Sequence, residues 1–290
     1  MTATARHIPD VLSLTAPDRN ALPLMFDSPH SGTSYPEDFH HDCPRDAIRW
    51  GEDSFIDEIY RAAPAHGGWL LAAHFPRTYI DPNRGLGAMD PALVEGAWPH
   101  AVDDNAKTAD GIGLLWQNGG AGVTIYDHKL SVAEVEHRIE TCWRPYHDAL
   151  TGTIADIMAA HGRCWHVNCH SMFSVEFGTA LGKRDIPDED VVLGNLDGKT
   201  CGDAFTALVA EGFRAGGLSV AVNKRFKGAE IVRKIGDPAA GCHSLQIEID
   251  RRLYMDERRI EKNANFTALQ GVVTGVIERI ARYVAAETAA

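Results

Sequence analysis

The sequence predicts an α/β fold in which a mixed, mainly parallel β-sheet is covered by helices on both faces. Along the 290 residues, short apolar segments typical of strands alternate with longer segments of helical periodicity. Hydrophobic residues make up 44 % of the chain, which is enough for a sizeable core and argues against disorder. Because we find no repeat, low-complexity tract or linker, we expect an irregular N-terminal arm over residues 1–20 and a single domain over residues 21–290.

The expected strands are short runs rich in apolar residues, and residues that favour turns lie near most of them. They cover residues 22–26, 69–74, 78–80, 123–126, 164–169, 218–222 and 244–249. Helical periodicity predicts helices over residues 45–63, 131–161, 201–215 and 256–286. Ser131 and Glu134 have the spacing of a capping box at the start of the second helix, and Pro145 is expected to kink or divide that helix. Residues 85–122 show little periodicity and predict a long surface loop; whether it closes over a substrate does not follow from its sequence.

Charge and composition exclude several classes of partner. The formal net charge of −12 disfavours non-specific binding to nucleic acid or to an anionic membrane. No apolar run approaches the length of a membrane span, and no segment resembles a signal peptide. Six scattered cysteines without a C-x-x-C pair predict reduced thiols and a cytoplasmic protein. The oligomeric state is not indicated by the sequence.

A histidine follows the first predicted strand on a turn that proline and glycine constrain. His30 lies between Pro29 and Gly32, directly after the run that ends at Phe26. In open α/β sheets, ligands bind beyond the carboxyl ends of the strands, so this position favours chemistry over packing.

A second histidine, His170, follows the strand over residues 164–169. Side chains alternate along a strand, so Asn168 and His170 share one face and Cys169 lies on the other. His166 is on the same face as His170 but about 13 Å away along the strand. One metal ion cannot bind both, because its bonds to ligands are about 2.0–2.3 Å long.

Partners for His170 must therefore come from other segments, and the neighbouring carboxylates Glu52 and Asp53 are candidates. Two histidines and one carboxylate would form a metal site with an open position for water. Acidic residues in the first turn of a helix also complement the helix dipole, and this electrostatic role is the alternative interpretation.

The last predicted strand alternates strictly between apolar and polar residues. Leu245, Ile247 and Ile249 occupy one face, whereas Gln246 and Glu248 occupy the other. A central strand of a covered sheet is usually apolar on both faces. The polar face therefore indicates either a solvated edge strand or a cleft.

Two basic segments could bind an anion. Arg225 and Arg233 have the same parity, so an extended chain would direct both towards one region, and arginine binds carboxylates well. Asn83 and Arg84 end another segment, where they would hold an anionic substrate or form a turn with a local salt bridge. For the segment with Arg225 and Arg233, the alternative to anion binding is a solvated charged surface.

Together these segments resemble the N-formylglutamate amidohydrolase (N-formylglutamate deformylase) family. The resemblance covers most of the chain, from about residue 22 to residue 257, and its blocks occur in the family's order. The blocks are residues 26–36, 52–53, 80–84, 170–171, 225–228 and 246–248, followed by 254–257. The family is similar to zinc carboxypeptidases and aminoacylases, which implies a three-layer α/β/α domain with one catalytic zinc or another divalent metal. His30, Asp53 and His170 match the metal ligands, with Glu52 as the alternative carboxylate.

The resemblance also implies the reaction: hydrolysis of the amide of N-formyl-L-glutamate to formate and glutamate, of the kind found in histidine degradation. Glu248 matches the catalytic glutamate, a general base and then acid for a metal-bound water. Asn83 and Arg84 resemble the pair that binds the substrate carboxylate, and Arg225 and Arg233 are further candidates for binding this small anionic substrate.

One position departs from the pattern of this family, in which an arginine follows shortly after the second metal histidine. Here Met172 and Phe173 follow His170, so a different N-acyl or N-formyl amino acid is the alternative substrate. A non-catalytic protein that binds a metal or an anion is a further alternative, against which Glu248 argues because binding alone needs no general base.

Overall fold

The computed structural model describes residues 4–18, 20–103 and 106–289. The strands in these residues are β1 (Arg6–Ile8), β2 (Leu12–Thr15), β3 (Leu24–Ser28), β4 (Trp69–Ala73), β5 (Val94–Glu95), β6 (Leu130–Ser131), β7 (Cys164–Met172), β8 (Val191–Gly194), β9 (Val220–Val222), β10 (Cys242–Asp250), β11 (Met255–Asp256) and β12 (Glu261–Lys262). The α-helices are α1 (Arg45–Arg49), α2 (Ile56–Ile59), α3 (Ala106–Ala109), α4 (Val132–Arg138), α5 (Arg144–His161), α6 (Val175–Ala180), α7 (Asp203–Ala215), α8 (Glu230–Ile235) and α9 (Phe266–Ala289).

Eight strands form one sheet, in the order β1-β2-β4-β3-β7-β10-β8-β9. The four central strands β4, β3, β7 and β10 are parallel to one another, whereas β8 pairs with β10 in the antiparallel direction. The predicted mixed, mainly parallel sheet is thus confirmed. Because the central strands are parallel, their carboxyl ends meet at one edge of the sheet.

Two hydrophobic clusters pack on opposite faces of this sheet. Met25 and Phe26 are neighbours in β3 and belong to different clusters, as alternation along a strand requires. Leu150 of α5 packs in the cluster of Met25, whereas Phe205 of α7 and Val273 of α9 pack in that of Phe26. Helices therefore cover both faces of the sheet, in agreement with the expected α/β architecture.

The N-terminal segment differs from the expected irregular arm. Leu12 and Leu14 of β2 are buried, and β2 pairs with β4. Their alternation with Ser13 and Thr15 is the pattern of a strand with one buried face, which explains why a partly polar segment joins the sheet. Residues 1–3 and 19 of the expected arm lie outside the described residues.

Several predicted elements have other bounds. Residues 78–80 and 123–126 form turns and a single bridge between Asn118 and Thr124 rather than strands. The helix predicted over residues 45–63 is broken, because Phe55 adopts a left-handed conformation with a φ of 68°. The last helix begins at Phe266, after the β11–β12 hairpin and a turn in which the Asn263 side chain accepts a hydrogen bond from the Asn265 N–H.

The helix predicted over residues 131–161 is present and contains a π-helical turn. Ser131 and Glu134 form the predicted capping box. Residues Ile139–Trp143 are π-helical, and Pro145 follows directly in the first turn of α5. Proline has no N–H to donate, so the irregular turn lies where a regular hydrogen bond is lost. No helix in the described part of the chain has the length and apolar character needed to cross a membrane.

Candidate metal centre

The turn after β3 holds His30 close to the segment that carries Asp53. The Asp53 N–H donates to the His30 carbonyl (3.0 Å), and the Ser31 hydroxyl donates to the Asp53 carbonyl (3.2 Å). Gly32 packs against the backbone of His74 and Phe75, which directly follow a strand of the sheet, β4. A Cβ atom at this position would collide with the Phe75 carbonyl oxygen. The glycine next to the predicted site histidine is thus required by a close approach of two backbone segments.

His30, Asp53 and His170 form one buried cluster. Their candidate ligand atoms all lie within 4.8 Å of one another. The Asp53 Oδ2 atom is 3.3 Å from the His30 Nδ1 atom and 2.9 Å from the His170 Nδ1 atom. Each of the three residues is at most 3 % exposed. Two imidazole nitrogens and a carboxylate oxygen that converge in this way are a suitable donor set for zinc.

The outer nitrogen of each imidazole has its own acceptor. His30 Nε2 lies 2.7 Å from Asp81 Oδ1, and His170 Nε2 lies 2.6 Å from Asn168 Oδ1. With a metal bound in the cluster, these acceptors would hold the protons on the Nε2 atoms and leave the Nδ1 lone pairs for the metal, as in sites where a second group orients each histidine. The contact with Asn168 also agrees with the predicted common face of Asn168 and His170.

Two arginines lie against the other oxygen of Asp53. Arg251 Nη2 is 3.0 Å and Arg77 Nη1 is 3.8 Å from Asp53 Oδ1. Burial by itself would raise the pKa of Asp53, but hydrogen bonds from His170 and His30, together with the charge of Arg77, hold it well below its usual range. Asp53 is therefore a carboxylate that presents Oδ2 to the histidines and Oδ1 to the arginines.

Glu52, the alternative carboxylate, is directed elsewhere. It accepts hydrogen bonds from the Tyr35 hydroxyl (2.5 Å), Arg49 Nε (3.3 Å) and the Ser54 hydroxyl (3.2 Å). The structure thus brings Asp53, and not Glu52, into the histidine cluster.

Glu248 lies in β10 directly beside His170 in β7, and β10 is a central strand rather than an edge strand. The polar face of β10 is therefore buried inside the protein and is not a solvated edge. Gln246 Nε2 donates to Glu248 Oε1 over 2.8 Å. Burial and the nearby charge of Asp53 raise the pKa of Glu248 well above its usual value, although Arg77 and Arg251 act in the opposite direction. This carboxyl group therefore has a high affinity for a proton and lies next to the candidate metal ligands.

The predicted anion-binding residues divide into two sets. Asn83 Nδ2 lies 3.2 Å from His170 Nε2, and Arg84 is buried with its Nη1 donating to the Asn83 carbonyl. Arg225 and Arg233 have side chains that are 47 % and 65 % exposed and that pair with Asp185 and Glu230. Asn83 is thus at the cluster, Arg84 is its buried neighbour, and the other two lie at the surface.

Arg77, Asp81 and Arg251 are residues of this site that the sequence patterns above do not indicate. Asp81 lies in the same segment as Asn83 and Arg84; it contacts His30 and accepts a hydrogen bond from Arg77 Nη2 (2.8 Å). Arg251 directly follows the polar-faced strand, and Arg77 lies shortly after β4 ends at Ala73. Positions beyond the carboxyl ends of central strands are the signal that could have identified both arginines.

The loop that carries Asp81 and Asn83 is held by side chains near the π-helical turn. Trp143 Nε1 donates to the Arg84 carbonyl (3.0 Å) and His147 Nε2 donates to the Pro82 carbonyl (2.8 Å). The His147 ring lies on Trp143, with ring centres 3.8 Å apart. Burial, with the charge of Lys234, lowers the pKa of His147 to about 4.

We expect His147 to make the protein less stable in mild acid. The pKa of His147 is lower in the folded than in the unfolded protein, so the unfolded state binds more protons between about pH 6.5 and pH 4. The free energy of unfolding therefore decreases as the pH is lowered through that range. The contribution lost between pH 7 and pH 5 is on the order of 2 kcal/mol. Urea unfolding of the wild type and of His147→Gln at both pH values should show a smaller pH-dependent loss in the variant. An equal loss in both proteins would contradict the prediction.

Known proteins resemble this chain in sequence and in structure. A family model for N-formylglutamate amidohydrolase matches residues 22–255. The crystal structure of N-formylglutamate amidohydrolase from Ralstonia eutropha JMP134 is similar with a TM-score of 0.91 and 45 % identity, over 96 % of this chain and 99 % of that chain. N-formylglutamate deformylases of Pseudomonas aeruginosa and Pseudomonas putida are 28 % and 29 % identical, over 83 % and 81 % of this chain and 85 % and 83 % of theirs. The chain therefore belongs to the N-formylglutamate amidohydrolase family.

Proposed function

We propose that this protein is a zinc-dependent amidohydrolase that cleaves N-formyl-L-glutamate to formate and glutamate. The names of its relatives, N-formylglutamate amidohydrolase and N-formylglutamate deformylase, support the substrate. The observation that carries the proposal is the buried cluster of His30, Asp53 and His170, with Glu248 on the adjoining strand. This combination provides a metal-ligand set and a proton acceptor in one place.

Zinc, or another divalent metal in this cluster, supplies Lewis-acid chemistry and lowers the pKa of a water molecule towards about 7. Glu248 accepts a proton from the attacking water while the water oxygen forms a bond to the formyl carbon. The carbon–nitrogen bond then breaks, and Glu248 returns the proton to the nitrogen of the leaving amine. The high proton affinity that burial gives Glu248 suits both transfers.

The charges around the cluster suit an anionic substrate. Arg77, Arg84 and Arg251 lie close to the metal centre of a protein whose net charge is −12. Asn83 and Arg84 are proposed to bind one carboxylate of the substrate and so to position the formyl group. Arg225 and Arg233, at the surface, are candidates for contacts with the second carboxylate.

The same chemistry on a different N-acyl or N-formyl amino acid is the alternative. It is favoured by Met172 and Phe173, which follow His170 where the family's pattern has an arginine. The Arg251 guanidinium lies over the Phe173 ring, 4.3 Å from its centre, and Arg251 Nε donates to the Ser171 hydroxyl. Arg251, directly after β10, therefore places a positive charge next to this segment. This charge favours a substrate with an anionic side chain and so argues against the alternative.

Release of formate or another acid from a panel of N-formyl and N-acyl amino acids tests the proposal. We expect the highest kcat/KM with N-formyl-L-glutamate, stoichiometric zinc in the purified protein, and loss of activity on chelation that added zinc restores. Preference for a substrate with a neutral side chain would favour the alternative. Full activity after complete removal of metal would contradict the mechanism.

A further inference from the structure

Asp27 is a fully buried carboxylate at the end of β3 that has no role in the reaction described above. Its Oδ1 atom accepts hydrogen bonds from Asn168 Nδ2 and His166 Nε2, both over 2.8 Å. Its Oδ2 atom accepts one from the Tyr146 hydroxyl over 2.7 Å. Burial alone would raise the pKa of Asp27, but these three donors outweigh it and lower the pKa. Asp27 therefore accepts hydrogen bonds and has no proton to donate.

This fixed polarity determines how the Asn168 amide is oriented. A carboxylate can face only the NH₂ end of a neighbouring amide, so the carbonyl end of Asn168 must face the other way. That carbonyl oxygen is the atom 2.6 Å from His170 Nε2. Because an amide oxygen accepts but never donates, this contact favours a proton on His170 Nε2, which leaves the Nδ1 lone pair for a metal bound between His170 and Asp53.

A second amide contacts the same ring nitrogen with the opposite polarity. Asn83 Nδ2 lies 3.2 Å from His170 Nε2, and its orientation is set because Asn83 Oδ1 accepts from the Ile231 N–H over 2.9 Å. Asn83 would by itself favour a bare Nε2 and a proton on Nδ1, where it would compete with a metal. The shorter contact to Asn168 decides between the two tautomers, and the Asn83 amide is then available to donate to a substrate.

We propose that Asp27 is a positioning residue for the metal centre: through Asn168 it keeps the His170 proton on Nε2 and the Nδ1 lone pair directed at the metal. The proposal rests on the metal centre of the proposed function but not on the identity of its substrate. It gives a role to a buried carboxylate of β3 that is not in the ligand cluster and that accepts hydrogen bonds from His166 and Asn168 of β7. The relay runs across the sheet, from Asp27 to Asn168 to His170.

Nuclear magnetic resonance of the zinc-loaded wild type, labelled with ¹⁵N in histidine, tests the tautomer directly. We expect a proton on His170 Nε2 and none on its Nδ1. A proton on Nδ1 would overturn the proposal without any variant, and this measurement stands even if a substitution prevents folding.

Zinc affinity of variants, measured by competition with a chelator, tests the relay. We expect Asn168→Leu to weaken zinc binding about ten-fold or more, since loss of such an orienting partner typically costs that much. Asn168→Asp keeps an acceptor for His170 and shares a proton with Asp27, so it should restore most of the affinity. In Asp27→Asn, the amide no longer determines the orientation of Asn168, and we expect an intermediate loss of zinc affinity. The double variant Asp27→Asn with Asn168→Asp should recover that affinity.

Asn195→Leu is the matched control, because Asn195 is a buried asparagine outside the cluster whose bonds are to Thr206, Asn223 and Gly198. It should leave zinc affinity unchanged. Unchanged affinity in Asn168→Leu would overturn the relay, and unchanged affinity in Asp27→Asn would remove Asp27 from it. These measurements use protein and metal alone, so an error in the proposed substrate would show in the formate assay and not here.

Discussion

Glu248→Gln is expected to reduce kcat for N-formyl-L-glutamate by about 10²- to 10⁴-fold, the usual contribution of a general acid–base residue. The amide of glutamine has the size of the carboxyl group and can still contact Gln246, but it cannot accept a proton from water. Because Glu248 does not belong to the ligand cluster, the variant should keep its zinc. The measurement is single-turnover and steady-state release of formate, together with metal analysis of the same sample.

The matched control for this experiment is Glu257→Gln. Glu257 is also buried, and it accepts hydrogen bonds from the backbone N–H and the hydroxyl of Ser174 rather than lying at the cluster. We expect it to keep near-normal kcat. Wild-type activity in Glu248→Gln would show that another group moves the proton, and an equal loss in both variants would point to a structural effect.

Removal of a metal ligand is expected to have the other large effect. His30→Ala and Asp53→Asn should each abolish stoichiometric zinc binding and reduce formate release by more than about 10²-fold, because the open site depends on all three protein ligands. In Asp53→Asn, the buried Arg251 also loses its negatively charged partner, whereas Arg77 keeps its contact with Asp81. Metal content after dialysis and circular dichroism of each variant separate loss of metal from loss of fold.

Glu52→Gln distinguishes the two adjacent acidic residues. The glutamine can keep contacts with Tyr35 and Ser54, and the substitution removes a carboxyl group that lies outside the histidine cluster. We expect Glu52→Gln to retain zinc and activity. Loss of zinc in this variant and its retention in Asp53→Asn would assign the ligand to Glu52.

Much of the fold could be predicted because it depends on local patterns. The central strands have apolar or alternating sequences, and the capping box at Ser131 and Glu134 is a property of a few neighbouring residues. The interruption of the predicted helix at Phe55 and the pairing of β2 were not predictable in the same way. Phe55 takes a left-handed conformation, which its own side chain disfavours, so the surrounding structure must impose it. The paired strand β2 likewise depends on β4, a segment more than fifty residues away in the chain.

For the candidate site, the sequence by itself determined which residues stand at the ends of strands and which face they share. Alternation along β7 put Asn168 and His170 on one face, and Pro29 and Gly32 marked the turn of His30. Only the tertiary structure brought Asp53 rather than Glu52 to the two histidines, placed β10 inside the sheet, and brought Arg251, Arg77 and Asp81 to the cluster. The physical reason is that strand alternation acts over two residues, whereas these contacts depend on strand order and on loops that meet only when the sheet has formed.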